Sequence, residues 1–247
     1  MSLEYFYSSE VRRQIRQFPV WRPGDPVAPG DIGNLDGGVF QKQTTLNVLF
    51  PKLKFKTVRE HLNNPYLFTS SGSRRGAVHA SGSNIGGVGV VPSATMKIDF
   101  GAKGGIVFAA TELTRERIDE LHHVREYVKA HKREWPKGMV LAAVVESAGK
   151  FRVIVSESKN GSLTLSGDAK AVGVVNIADA GVTVTMDNAA GYDSSHASGP
   201  IAVRPYGFSW LQALRGRLQL FEHDGTSTEE DDSFEEISAE DFPEDEG

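Results

Sequence analysis

Apolar and polar residues alternate along several stretches of this chain, and in two others the apolar residues recur at helical spacing. Met96, Ile98 and Phe100 alternate with Thr95, Lys97 and Asp99, which predicts a strand with one apolar face. Ile106 and Phe108 predict a return strand beyond Gly104-Gly105. Phe151, Val153 and Val155 alternate with Arg152, Ile154 and Ser156, and Val182, Val184 and Met186 with Thr183, Thr185 and Asp187. Leu163 and Leu165 follow a predicted turn at Asn160-Gly161. Met139 to Glu146 reads as an apolar strand, Tyr66 to Ser70 as another, and Val39 to Phe55 as strand interrupted at Pro51.

Helical spacing of Ile118, Leu121, Val124 and Val128 predicts a long helix from Thr114 to Glu134. Glu116, Asp119 and Glu120 stand near its start and Lys129, Lys132 and Arg133 near its end, as the helix dipole favours. Pro136 and Gly138 stop it. A first helix is predicted from Ser9 to Gln17, capped by Ser8 or Ser9, with Val11, Ile15 and Phe18 on its apolar face and Arg12, Arg13 and Arg16 largely on the other. Thr57 to Asn63 reads as a short helix, and Ile201 to Leu214 closes the body on Phe208 and Trp210. The fold class expected is α+β, a large twisted antiparallel sheet flanked by helices.

Charge changes this picture. All 27 Lys and Arg residues precede Glu222, and Glu222 to Gly247 holds 13 acidic residues and no basic one. The body, residues 1–221, is left with 27 basic residues against 19 acidic (the chain's 32 less those 13), a net charge of +8. A run such as Glu229-Glu230-Asp231-Asp232 repels itself and does not fold alone. Residues 222–247 therefore read as a separate acidic element, either a solvating tail or a segment that lies on the basic body and masks it. Phe234, Ile237 and Phe242 favour masking, and Phe234 and Ile237 would face one groove if the segment turned helical.

Candidate chemistry is sparse. The chain has no cysteine, which excludes disulfides, thiolate ligands, cysteine nucleophiles and S-acylation. Gly72-Ser73-Arg74-Arg75-Gly76 and Gly207-Phe208-Ser209-Trp210-Leu211 lack nucleophile-elbow spacing, and no phosphate-binding loop is present. The seven histidines, including adjacent His122 and His123, show no zinc spacing, so neither metal nor cofactor is expected. No signal peptide is read at the start, and no window approaches the roughly 18 continuous apolar residues of a membrane-crossing helix. The expected location is the cytoplasm. Arg12, Arg13, Arg16, Lys52, Lys54, Lys56, Arg74 and Arg75 offer a face for phosphates, and a nucleic-acid-binding or adaptor module with a competing tail is one function that fits.

Amphipathic strands bordered by Gly and Ser suit an ordinary sheet packed on one face, and equally a membrane β-barrel. The order of elements resembles the gasdermin family, particularly its short bacterial members. The resemblance rests on the basic amphipathic helix Val11 to Phe18, the Gly/Ala/Ser-rich strand region Ala77 to Phe108, and the helical insertion Thr114 to Arg133. Strands of the type Met139 to Val145 and Lys150 to Val155, a second hairpin region ending near Met186, and a short C-terminal extension complete it.

That resemblance implies a gasdermin N-terminal-domain-like fold and no enzyme activity. It implies a latent protein that forms homo-oligomeric pores in the inner or plasma membrane, causing cell death in (antiviral) defence. Two regions, roughly Ala77 to Thr111 and Lys150 to Asp187, are expected to refold into membrane hairpins. Their membrane-spanning candidates are Met96, Ile98, Phe100, Ile106, Phe108, Phe151, Val153, Val155, Val182, Val184 and Met186. Arg12, Arg13, Arg16, Lys52, Lys54 and Lys56 become candidates for contact with acidic lipids. An activating protease is expected to cut between body and tail, at Asp224 or alternatively at Arg215 or Arg217, freeing the body from Phe234, Ile237 and Phe242. Bacterial members commonly carry an acylated N-terminal cysteine; this chain has none, so that step is absent or replaced.

Overall fold

A computed structural model describes residues 3–70, 73–81, 93–100, 105–156, 161–168, 183–187, 191–208 and 234–239. The first helix, α1 (Leu3–Ile15), begins earlier than its arginines imply. Tyr7 and Val11, one turn apart, are fully buried, and Ser8 lies inside the helix rather than capping it. The Ser8 hydroxyl donates to the Gly37 carbonyl at 2.9 Å. Arg12 is also buried, with its guanidinium over the backbone of Gly38, where a Cβ would lie 2.7 Å from Arg12 Cζ. Of the three arginines expected to meet acidic lipid, Arg12 is thus part of the interior in this form, and Arg13 and Arg16 are exposed.

β1 (Phe18–Pro19) leads to the hairpin of β2 (Asp31–Asp36) and β3 (Val39–Thr45). Its two-residue turn, Gly37-Gly38, has φ of +56° and +75°, the positive pair that hairpin twist requires. The strand expected to continue to Phe55 stops at Thr45, whose hydroxyl accepts from Val48 N and caps α2 (Leu46–Leu49). Leu46 and Phe50, four apart, point inward while Val48 is exposed, so the apparent alternation there belongs to one helical turn.

β4 (Thr57–His61) replaces the short helix expected there, and β5 (Tyr66–Thr69) stands where predicted. Both pair with β8 (Ile106–Ile118), β4 through Thr57↔Ile118 to His61↔Thr114 and β5 through Tyr66↔Ala110 to Thr69↔Val107. The long helix expected from Thr114 is therefore shorter. Thr114–Arg117 is strand paired on both edges, Ile118 pairs with Thr57 alone, Glu120 turns left-handed at φ +50°, and α3 covers Leu121–Ala130 before a 3-10 turn at Lys132–Glu134. Val124 and Val128 keep their inward face, and Glu116 belongs to β8.

β9 (Val140–Ser156) unites two predicted strands into one of 17 residues at the centre of a nine-stranded antiparallel sheet. One edge pairs throughout with β12 (Gly191–Phe208); the other pairs with β8 and then β2. β6 (Ser73–Ser81), β7 (Ser93–Phe100), β10 (Ser162–Asp168) and β11 (Thr183–Asp187) form a second antiparallel sheet in the order β11-β10-β7-β6. The fold is thus α+β with a large antiparallel sheet.

Two expected hairpins are corrected by this division. β7 and β8 lie in different sheets, and the chain crosses where the Phe100 ring lies over Gly105. β9 and β10 likewise part across the predicted turn at Asn160-Gly161, of which Asn160 lies outside the described residues. The smaller sheet keeps the predicted two faces: Met96, Ile98, Phe100, Leu163 and Leu165 are buried, and Lys97 and Asp99 are exposed. β9 does not, because Arg152, Ile154 and Ser156 are buried along with Phe151, Val153 and Val155. Both faces of this stretch are covered, so burial here does not follow its alternation.

Candidate functional site

The chain returns to its own sheet at β13 (Phe234–Glu236), an edge strand antiparallel to the end of β12 with Tyr206↔Glu236, Gly207↔Glu235 and Phe208↔Phe234 in register. The ladder continues one residue further, where Ile237 N donates to Pro205 O at 2.9 Å. An extended segment sends residues three apart to opposite faces, and the two apolar anchors do so. Phe234 joins the cluster of Trp135, Leu141, Val124 and Val128, and Ile237 joins that of Phe18, Phe40, Val140 and Val203. The helical groove expected for this pair is thereby corrected to a strand that straddles the edge of the sheet. Phe242 lies outside the described residues.

Each face is shaped for its anchor. Phe234 meets Trp135 edge-on at 5.2 Å and Phe208 at 4.9 Å, the T-shaped arrangement that aromatic quadrupoles favour. Trp135 is held by its indole N–H, which donates to Met139 O at 3.0 Å. On the other face, a Cβ at Gly207 would lie 3.2 Å from Ile237 Cδ1, so the absence of a side chain leaves room for the isoleucine. Cations from the α3 region complete the dock: Arg125 Nε donates to the Phe234 carbonyl at 2.8 Å, and Lys132 lies 5.8 Å from the Phe208 ring centre. Glu235 and Glu236 remain exposed, and the Tyr206 hydroxyl donates to Glu236 at 3.0 Å.

Burial and the facing Glu236 carboxylate push the Tyr206 phenol up to about 12. A raised phenol stabilises docking while its proton is held, fully below the ordinary phenol value of about 10, and the contribution is lost as pH climbs towards 12. The Tyr206 ring signal in an NMR titration is expected to move to a lower midpoint in Glu236→Gln. An unchanged midpoint would mean that the carboxylate does not act on the phenol.

A second charged unit ties β5, β8 and β9 together. Glu146 is fully buried and accepts from Tyr66 Oη at 2.6 Å and Arg115 Nε at 2.9 Å; Arg115 reaches on to Glu60 at 3.1 Å. Burial first, then the hydrogen bond to Glu146 and its charge, hold the Tyr66 phenol well above its usual range.

The other predicted residues fall as follows. Met96, Ile98, Phe100, Ile106, Phe108, Phe151, Val153 and Val155 are core residues here, spread over both sheets. Val184 and Met186 stand in register with Leu165 and Leu163, and Val182 lies outside the described residues. Lys52, Lys54 and Lys56 are exposed on the loop after α2. Trp210, Asp224, Arg215, Arg217 and the 221/222 boundary lie outside the described residues. Arg125, Trp135 and Tyr206 were not anticipated at the dock: Arg125 and Phe234 stand 109 positions apart, which no local spacing links.

No family model and no curated protein matches the chain. Among the described residues no helix is long and apolar enough to cross a membrane, and none of their His, Asp and Glu clusters could hold a metal ion.

Proposed function

We propose that this chain is a latent, gasdermin-like pore-forming protein whose C-terminal strand is the latch. The observation that carries the reading is the docked strand: an acidic segment anchored through Phe234 and Ile237 on opposite faces of the sheet edge. A solvating tail has no need of buried anchors. Among the described residues a short ladder, two apolar anchors and the hydrogen bonds from Arg125 and Tyr206 hold the strand, so a cut in 209–233 leaves it attached by non-covalent contacts alone. Loss of the strand uncovers Trp135, Phe208 and the edge of β12, and removes acidic charge from a body of net +8. Arg13, Arg16, Lys52, Lys54 and Lys56 then attract acidic headgroups. The amphipathic strands β7, β10 and β11 supply membrane-facing surface once the smaller sheet opens.

The test is dye release from acidic liposomes by the whole chain and by chains cut after Arg215, Arg217 or Asp224. Leakage is expected from a cut chain and not from the whole one. Absence of leakage for all three cuts sinks the reading. Salt-sensitive binding of DNA or RNA strengthened by the cut, without leakage, would establish instead a nucleic-acid-binding module with a competing tail.

A further inference from the structure

Three positions, far apart in sequence, fall on one line across β8, β9 and β12, two of them with positive φ. Glu112, in the middle of β8, has φ +55°. Gly149 stands opposite it, between the register pairs Thr111↔Lys150 and Leu113↔Ala148. The Glu112 side chain folds over that glycine, and a Cβ on Gly149 would lie 2.8 Å from Glu112 Cβ. Gly199 of β12, the register partner of Ala148, has φ +132°, and a Cβ there would lie 3.0 Å from Gly24 Cα. The register of β12 against β9 also shifts between Ser194 and Ala197, between Ala197 and Gly199 and between Pro200 and Ala202, close to this line, and once more between Arg204 and Pro205.

The same line is where β8 changes its outer neighbour. β5 pairs with it through Ala110, and β4 from Thr114 onward. One half of the sheet, residues 106–111 and 150–156 with β5, is thus joined to the other through two positions of positive φ, Glu112 and Gly199, with the side-chain-free Gly149 between them in a β8–β9 register that runs unbroken. The other half contains 113–118, 140–148 and the docked β13.

We propose that Glu112, Gly149 and Gly199 form a hinge line about which the first half of the sheet separates from the half that carries the latch. The inference rests on the pore-forming reading for its purpose, since the segments expected to refold, 77–111 and 150–187, end on this line. Thr111 and Lys150, the limits of those segments, are register partners beside it. A left-handed conformation is disfavoured about tenfold for a residue with a Cβ, more for a β-branched one and not for glycine. The Glu112 position therefore biases the hinge towards straightening, and substitutions there shift that bias in opposite directions.

Hydrogen exchange of the whole chain tests this directly in Glu112→Gly and Glu112→Val. Both lose the 3.1 Å ion pair between Glu112 and Lys150, so that contribution cancels between them. Exchange in 106–111 and 150–156 is expected to slow severalfold in Glu112→Gly and to accelerate by a similar factor in Glu112→Val. Exchange in 113–118 should stay as it is. Change in the same direction for both variants, or equal change in both halves, overturns the hinge. Should Glu112→Val fail to fold, Gly149→Ala presses on the same contact and should accelerate exchange in the first half. Glu112→Gly in that background should restore it, and absence of restoration overturns the proposal. Dye release is read in parallel on the chains cut after Asp224. Absence of leakage there and for the cuts after Arg215 and Arg217 removes the pore-forming reading and leaves the hinge to be decided by exchange alone.

Discussion

Replacing Phe234 by alanine is expected to free the C-terminal strand, lowering amide protection of Glu235 and Ile237 by roughly three to four orders of magnitude. A buried phenylalanine truncated to alanine costs about 3–5 kcal/mol, and each 1.36 kcal/mol is a factor of ten in an opening equilibrium. Phe234 has no exposed surface and packs on two aromatic rings, so its site sits at the costly end of that range. What remains is a short edge ladder and the Ile237 contact, and an isolated strand pairing of that length does not hold itself in water. Glu235→Gln, at an exposed residue of the same strand, should change protection by less than about 0.5 kcal/mol. After a cut at Asp224, the Phe234→Ala fragment 225–247 should leave the body at a higher protein concentration, and so at smaller dilution, than the Glu235→Gln fragment. If Phe234→Ala leaves protection unchanged, the strand is held by its backbone ladder, and the latch needs another anchor than this ring.

Glu146→Ala is expected to lower the urea unfolding free energy by about 3–5 kcal/mol without changing the slope, because it removes one member of a buried pair and strands the other. The carboxylate is fully buried and accepts from Tyr66 and Arg115, which sit on two different strands. Arg115 is partly exposed and keeps Glu60, so the loss should fall at the lower end of that range. Replacing the whole unit, with Tyr66→Phe and Arg115→Met added to Glu146→Leu, should recover much of the stability, since a fully apolar substitute leaves nothing unpaired. Failure of that triple variant to exceed Glu146→Ala would show that the unit fixes strand register and does more than offset its own desolvation. The raised Tyr66 phenol adds a pH signature. Its contribution is whole below about pH 10 and lost as pH rises beyond, so alkaline destabilisation should be smaller in Tyr66→Phe.

Strand alternation was legible where one face of a sheet is wet. Met96 to Phe100 and Leu163 to Leu165 show it, because the smaller sheet buries only one side of those strands. It misled where both faces are covered, as in Phe151 to Ser156, since burial there no longer depends on parity. Helical spacing misled at Thr114–Ile118, because pairing with β4 and β9 outweighs a propensity difference of a few tenths of a kcal/mol per residue. Leu46 and Phe50, four apart, fit either period, and the Thr45 cap decided for the helix, which leaves Val48 exposed.

The amino-acid sequence by itself determined that an acidic segment follows a basic body, that this segment carries Phe234 and Ile237, and that the body is rich in amphipathic strands. These are properties of composition and of short-range order, and they do not depend on which parts of the chain meet. Only the tertiary structure decided where the segment goes. Its two apolar anchors are three residues apart, which suits one face of a helix or two faces of a strand equally well. The open edge of β12, with Trp135 and Phe208 on one side and the space over Gly207 on the other, selects the strand. Long-range contact settled it, because an extended segment placed at a sheet edge buries both anchors while its backbone completes a ladder.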